Sequence, residues 1–272
     1  MTITIAIGEW QHALVELPEN EAVIAIGDIH GQLDLMVELE SAITRLHRES
    51  GLAGQLVRLG DYIDRGPHGI KVLERIQSGL GINGLEEINL AGNHDHMLLA
   101  MLPGRYRRSG VESMWIRSGG HDTLLELGFI DGEVITPDAI LARMPLAALG
   151  ALTNLRGHHV AGNLMLVHAG LSPVSPPSLF LAEDWRDYDY GSDHHPMWIR
   201  SPFLDYRGEF EGGLIVVHGH TPTKEPGLHN GNRIALDTGA YGTGILTAAE
   251  LRLGRYRLIQ ATDRTEDQAN DE

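Results

Sequence analysis

Residues 22–31 read AVIAIGDIHG. The short apolar run at 22–26 ends at Gly27-Asp28, which makes it a buried strand opening into a loop. A helical spacing follows, with Leu35, Met36, Leu39, Ile43 and Leu46 on one face. The same unit then returns: residues 55–59 (QLVRL) run into Gly60-Asp61, residues 69–77 carry a short helix, and residues 87–90 (EINL) approach Gly92-Asn93. Asp28 and Asp61 lie 33 residues apart and Asp61 and Asn93 lie 32 apart, each about one βαβ unit. Three strand ends therefore lie side by side. In an open α/β sheet the loops past the carboxyl ends of the strands build the site, so a polar residue just beyond each strand marks where a ligand converges.

From residue 105 to about 162 the strand rhythm stops, and Leu124, Leu125, Leu127, Leu141, Leu146 and Leu149 point to a helical insertion. Strands are expected again at 164–167 running into His168, at 214–217 running into His218-Gly219-His220, at 233–236 running into Asp237, and at 245–251. Residues 170–193, with Pro173, Pro176 and Pro177, read as loop. The segment 262–272 (TDRTEDQANDE) is polar and acidic and reads as a disordered tail.

The chain of 272 residues carries 21 Lys and Arg against 37 Asp and Glu, a formal charge of −16. Such a surface repels nucleic acid and anionic membranes, so neither is expected as a partner. Any phosphate must be held by local cations. With 42% hydrophobic and 21% charged residues, the composition is globular, and the length suits one domain with insertions. The absence of cysteine excludes disulfides, thiolate zinc sites and cysteine nucleophiles, which leaves His, Asp, Glu and Asn as metal ligands. Residues 1–10 lack a basic leader and no long apolar run follows, which points to a soluble, cytoplasmic protein.

Six polar clusters carry the chemistry: 27–31 (GDIHG), 60–66 (GDYIDRG), 92–95 (GNHD), 168–170 (HAG), 198–200 (WIR) and 219–222 (GHTP). Carboxylate and amide oxygens combined with imidazole nitrogens suit Mn, Fe or Zn. The set reads as a two-metal hydrolase.

In order and spacing these clusters resemble the calcineurin-like metallophosphoesterases, and among them the phosphoprotein-phosphatase family of Ser/Thr phosphatases and symmetrical diadenosine tetraphosphatases. The resemblance runs over about residues 22–251, including Leu236-Asp237-Thr238-Gly239. It implies an α/β fold, a β-sandwich of two mixed sheets flanked by helices, with one metallophosphoesterase domain over 1–261 and the helical cap at about 105–162. It also implies two divalent ions, Mn²⁺ first with Fe or Zn as alternatives. Asp28 and His30 would hold the first, Asp61 would bridge, and Asn93, His168 and His220 would complete the second. His94 would be the general acid positioned by Asp64, and Arg65 and Arg200 would clamp the phosphate, with Asn93 and Tyr62 also near substrate. The expected reaction is phosphomonoester hydrolysis by direct attack of a metal-bridging hydroxide, first on phosphoserine or phosphothreonine in proteins. The alternative is symmetrical cleavage of diadenosine tetraphosphate, and a small phosphoester is also compatible. A binding protein that keeps the ligands without turnover would not need His94, Asp64 and both arginines.

Several positions depart from the pattern or fall outside it. Asp95 stands where most family members have Glu, and its expected role is the same brace with one methylene less reach. Ala91 occupies a position where a basic residue is common. His218 either tunes the site or ends a strand, and Tyr62 either touches substrate or packs. Arg105, Arg107, Arg108 and Arg117 form either a solvated helix face or a contact for a second phosphate. No motif speaks to the oligomeric state.

Overall fold

The computed structural model describes residues 2–104, 110–182, 184–187 and 195–264. Sheet one has the order β1 (Thr2–Ile7), β12 (Arg255–Arg264), β11 (Ile245–Arg252), β3 (Glu21–Ile26), β4 (Ala53–Arg58), β5 (Leu85–Asn89), with β2 (Gln11–His12) paired to β12. Sheet two has the order β6 (His158–Ala161), β7 (Leu164–Val167), β8 (Ile215–His218), β10 (Arg233–Ala235), β9 (Gly227–His229). Both sheets are mixed. β3, β4 and β5 run parallel in sheet one, as do β7, β8 and β10 in sheet two, with antiparallel strands at the flanks.

Period-two alternation sorts each strand between two apolar layers. Val23, Ala25, Val57 and Leu59 of sheet one meet Leu164, Leu166, Ile215 and Val217 of sheet two inside the sandwich. Ile24, Ile26 and Leu56 face the other way, under α1 (Leu33–Ser50) and α2 (Gly69–Ser78). Both faces of the central strands are thus buried, which is why they read as continuous apolar runs. α3 (Asn93–Ala100) follows β5, and then come α4 (Val111–Trp115), a π-helical turn (Ile116–Gly120), α5 (His121–Glu126), α6 (Pro137–Arg143) and α7 (Leu146–Asn154). α7 packs on α2, which sets the insertion beside the helix layer of sheet one. Two short helices, α8 (Pro177–Leu181) and α9 (Ala240–Thr243), lie in loops. Among the described residues no helix is long and apolar enough to cross a membrane.

Two boundaries differ from the sequence expectation. The insertion ends before His158, where strand β6 begins, rather than near 162. β12 runs to Arg264, so 262–264 are paired strand rather than tail, and residues 265–272 lie outside the described residues. The charged, poorly alternating sequence of β12 concealed it; its ladder with β1 and β11 supplies what its side chains do not signal.

Arg58 of β4 points to the helix side and is almost wholly buried. Its Nε donates to Glu40 Oε1 at 2.9 Å, Nη2 to Glu87 Oε2 at 2.9 Å, and Nη1 to Asn89 Oδ1 at 2.9 Å. Arg75 Nε reaches the other oxygen of Glu40 at 2.6 Å. This network ties α1 and α2 to the sheet. Removing one member leaves a buried charge uncompensated, so Glu40→Gln is expected to cost about 3 kcal/mol in urea unfolding, whereas Glu40→Met with Arg58→Met costs less than the single change.

Candidate active site

The carboxyl ends of β3, β4, β5, β7 and β8 deliver Asp28, Asp61, Asn93, His168 and His220 to one place. The backbone there is strained. Among the described residues six non-glycines have positive φ, and five belong to these loops: His30 (44°), Asp61 (53°), Asp64 (69°), Arg65 (63°) and His220 (67°). Each such residue costs on the order of 1–3 kcal/mol and persists only where its surroundings over-determine it. Close packing does so. A Cβ on Gly92 would lie 2.1 Å from Asp61 Oδ1, and one on Gly219 would lie 2.0 Å from Asp28 Oδ1, so any side chain at either position would displace a carboxylate.

Two groups of donor atoms result, His30–Asp61–His94 and Asp61–His168–His220, with Asp61 common to both. Asp61 Oδ2 is 3.4 Å from His30 Nε2 and 3.4 Å from His168 Nε2. Asn93 Oδ1 sits 2.9 Å from both His168 Nε2 and His220 Nδ1. The outer nitrogens are anchored: His30 Nδ1 donates to Ile63 O at 2.8 Å and His168 Nδ1 to Leu59 O at 2.9 Å. That anchoring makes Nδ1 the outward donor and turns Nε2 inward, the orientation a metal-binding imidazole requires. The donor set could hold two divalent ions of the N/O-binding type. Asp28 belongs to neither group; its two oxygens accept from the His220 backbone N–H at 3.1 and 3.0 Å.

His94 points its Nε2 towards this cluster, and its Nδ1 donates to Asp64 Oδ2 at 2.6 Å. Arg65 spans two of the rings, with Nη1 3.1 Å from His30 Nε2 and Nη2 3.0 Å from His94 Nε2. A fixed cation and a carboxylate-held imidazole therefore flank the donor groups.

The calcineurin-like phosphoesterase family model matches residues 22–245, most of the chain. The chain belongs to that family. This phosphoesterase is 27% identical to the asymmetrical bis(5'-nucleosyl)-tetraphosphatase PrpE of Bacillus mycoides, over 82% of its own length and 87% of the relative's. It is 26% identical to a symmetrical bis(5'-nucleosyl)-tetraphosphatase of Nitrosococcus oceani, over 85% and 93% of the two chains. A solved structure of a candidate diadenosine tetraphosphatase shares the fold with a TM-score of 0.53 at 21% identity, covering 92% of this chain and 97% of the other.

Several residues of the phosphoesterase site carried no sequence signal. Trp115 Nε1 donates to Asp64 Oδ2 at 2.9 Å and Thr123 Oγ1 donates to Asp64 Oδ1 at 2.5 Å, both from the insertion. Ser118 O accepts from Arg65 Nε at 3.1 Å, and Gly119 O accepts from the Arg65 backbone N–H at 3.2 Å. The π-helical turn presents these two carbonyls, a local irregularity of the kind that collects at functional sites. The insertion thus positions the Asp64–Arg65 turn from more than 50 residues away. Tyr241 closes the other side: its ring meets His30 edge-on at 5.4 Å, and the Arg65 guanidinium lies 4.9 Å from its centre.

Charge in the pocket is lopsided. Burial pushes Asp28 up, reinforced by Asp237. Burial also acts to raise Asp61, but the imidazoles of His168, His94 and His30 outweigh it and hold that carboxylate well below its usual range. Burial lowers His168, yet Asp61 and Asp28 overcome it and bring the ring up to about 10. Asp237, buried beside them, is raised by burial and by Asp61. Three buried carboxylates gathered around a single strongly basic ring call for further positive charge, which the donor geometry can accept as metal ions.

Asp95 accepts from three backbone N–H groups, those of Asp61 (2.8 Å), Gly92 (2.9 Å) and Tyr62 (3.2 Å). Burial, with Asp61 beside it, pushes it up to about 7. The shorter side chain reaches both the Asp61 turn and the first turn of α3. Other positions fall elsewhere than expected. Tyr62 is wholly buried in the core and its hydroxyl donates to Arg58 O at 3.2 Å, which corrects its expected place against substrate. His218 ends β8 on the outer face of sheet two, edge-on to Phe203 at 5.0 Å, so it packs rather than lining the site. Arg200 is exposed, and its charge is one of those depressing His220 after burial and His168. Arg117 is exposed; Arg105, Arg107 and Arg108 lie outside the described residues.

Proposed function

We propose that this phosphoesterase hydrolyses dinucleoside polyphosphates, with diadenosine tetraphosphate as the reference substrate. The observation that carries the reading is the match, over more than four-fifths of the chain, to relatives named bis(5'-nucleosyl)-tetraphosphatase of both cleavage types. Those names favour the dinucleotide over the phosphoprotein that the motifs first suggested. The location stays the cytoplasmic one expected from the sequence.

Asp28, His30 and Asp61 would hold one ion and Asp61, Asn93, His168 and His220 the other, Mn²⁺ first and Fe or Zn as alternatives. When bound, such a pair supplies Lewis acidity and lowers the pKa of a shared water towards neutrality. The residues around the pair do the rest. Arg65 binds non-bridging phosphate oxygens through two guanidinium N–H groups, held in place by the Ser118 carbonyl, and Arg200 adds a second cation at the rim. As water adds to phosphorus and gives up a proton to solvent, the bond from phosphorus to the leaving oxygen breaks. His94 Nε2 gives that oxygen its proton, while Asp64 keeps Nδ1 protonated and the ring aimed inward.

The test is product analysis with Mn²⁺ present. Two ADP per substrate marks symmetrical cleavage and AMP with ATP marks asymmetrical cleavage; either supports the reading. A kcat/KM at least tenfold higher on a phosphoserine peptide than on diadenosine tetraphosphate, about 1.4 kcal/mol of transition-state preference, overturns it.

A further inference from the structure

A groove of about 530 Å³ opens beside the metal-donor cluster, walled by Pro222, Tyr241, Gly242 and Ile245, with Lys224, Gln260 and three threonines as polar members. Its volume lies within the ~300–1,000 Å³ typical of small-molecule sites. It is continuous with the active site through one side chain, since Tyr241 lines the groove and also touches His30 and Arg65. Tyr241 is 42% exposed, an aromatic ring left open where a ligand would lie. Pro222 stands two residues past His220, so the opposite wall is set by the strand end that delivers that donor.

Resting on the dinucleotide reading above, we propose that this groove is a nucleobase subsite in which the Tyr241 ring stacks on one base of the substrate. Its chemistry fits a purine better than a phosphopeptide side chain. The exposed lining is mostly apolar, and the aromatic ring of Tyr241 offers a π-face, which stacks on any base. Gln260 is anchored through Nε2 to Thr247 Oγ1 at 3.0 Å, which leaves its carboxamide oxygen to accept from an exocyclic amine. Lys224 is exposed and matches an anionic phosphate chain. With Tyr241 one ring away from His30, a base seated here leaves its own phosphates pointed at the donor cluster.

The test compares diadenosine tetraphosphate with inorganic tripolyphosphate, which offers the same phosphoanhydride bond and no base. A Cβ built on Gly242, which lines the groove, meets no atom within 4 Å, so Gly242→Trp is the substitution that obstructs the groove, while Tyr241→Ala removes the stack and Tyr241→Phe keeps it. The expected result is that kcat/KM on the dinucleotide falls at least about tenfold more than on tripolyphosphate in both Gly242→Trp and Tyr241→Ala, mainly through KM, with the loss restored in Tyr241→Phe. Equal losses on the two substrates in both variants overturn the subsite. The dinucleotide reading fails separately, when the wild-type enzyme cleaves tripolyphosphate but not diadenosine tetraphosphate.

Discussion

Replacing His94 by alanine is expected to lower kcat on an alkyl phosphomonoester by about 10²–10⁴-fold, the range that a positioned general acid contributes. The size of the loss should follow the leaving group. An alkoxide needs a proton as its bond breaks, whereas p-nitrophenolate and a nucleotide phosphate, whose conjugate acids ionise close to neutral pH, leave almost unaided. The His94→Ala defect should therefore be at least about tenfold smaller on p-nitrophenyl phosphate than on the alkyl ester. A defect of equal size on both esters would mean that His94 holds the site together rather than donating a proton. Geometry favours proton donation: the Asp64 carboxylate grips Nδ1 at 2.6 Å and is itself held by Trp115 and Thr123, so the ring has one orientation, with Nε2 turned to the donor cluster beside Arg65. Metal content, measured by plasma mass spectrometry, separates the two accounts, because an acid can be lost without the ions.

The second large effect is expected at Asp61, whose carboxylate lies in both donor groups. Asp61→Asn is the informative substitution. Asn tolerates the left-handed backbone that this position adopts (φ 53°) and keeps an oxygen for the His94 backbone N–H, so the turn survives while the charge goes. Bound metal should fall from about two ions per chain to fewer than one, and kcat/KM with saturating Mn²⁺ by about 10³-fold or more, since both Lewis acids depend on this carboxylate. Full activity with two ions retained would remove Asp61 from the bridging position. Retention of the thermal unfolding midpoint within a few degrees would show that the loss is chemical.

Much of the site was legible because its parts are local. Asp28, Asp61 and Asn93 each follow an apolar run by one or two residues, and a strand that stops abruptly at glycine announces both an element boundary and a ligand-bearing loop. His168 and His220 were readable in the same way. The strands β2 and β12 were not: β2 is two residues long, and β12, inside the sheet between β1 and β11, carries a charged, mixed sequence held by ladder hydrogen bonds that no side-chain period reports. The orientation of Tyr62 was also beyond reach. It follows Asp61 in sequence, but the left-handed turn at Asp61 swings it into the core.

By itself the sequence determined which atoms are available, hard oxygens and imidazole nitrogens without any thiolate, and that successive strand ends would present them at intervals of one βαβ unit. Only the tertiary structure decided which nitrogen of each histidine faces inward, because that depends on the carbonyls of Ile63 and Leu59, tens of residues away or on the other sheet. It likewise decided that the helical insertion braces Asp64 and Arg65, and that Tyr241 joins the active site to the groove. Periodicity and turn chemistry report interactions within a few residues. The contacts that aim these groups close loops of 30 to more than 100 residues, and their energy is gained only when both sheets and the insertion have packed.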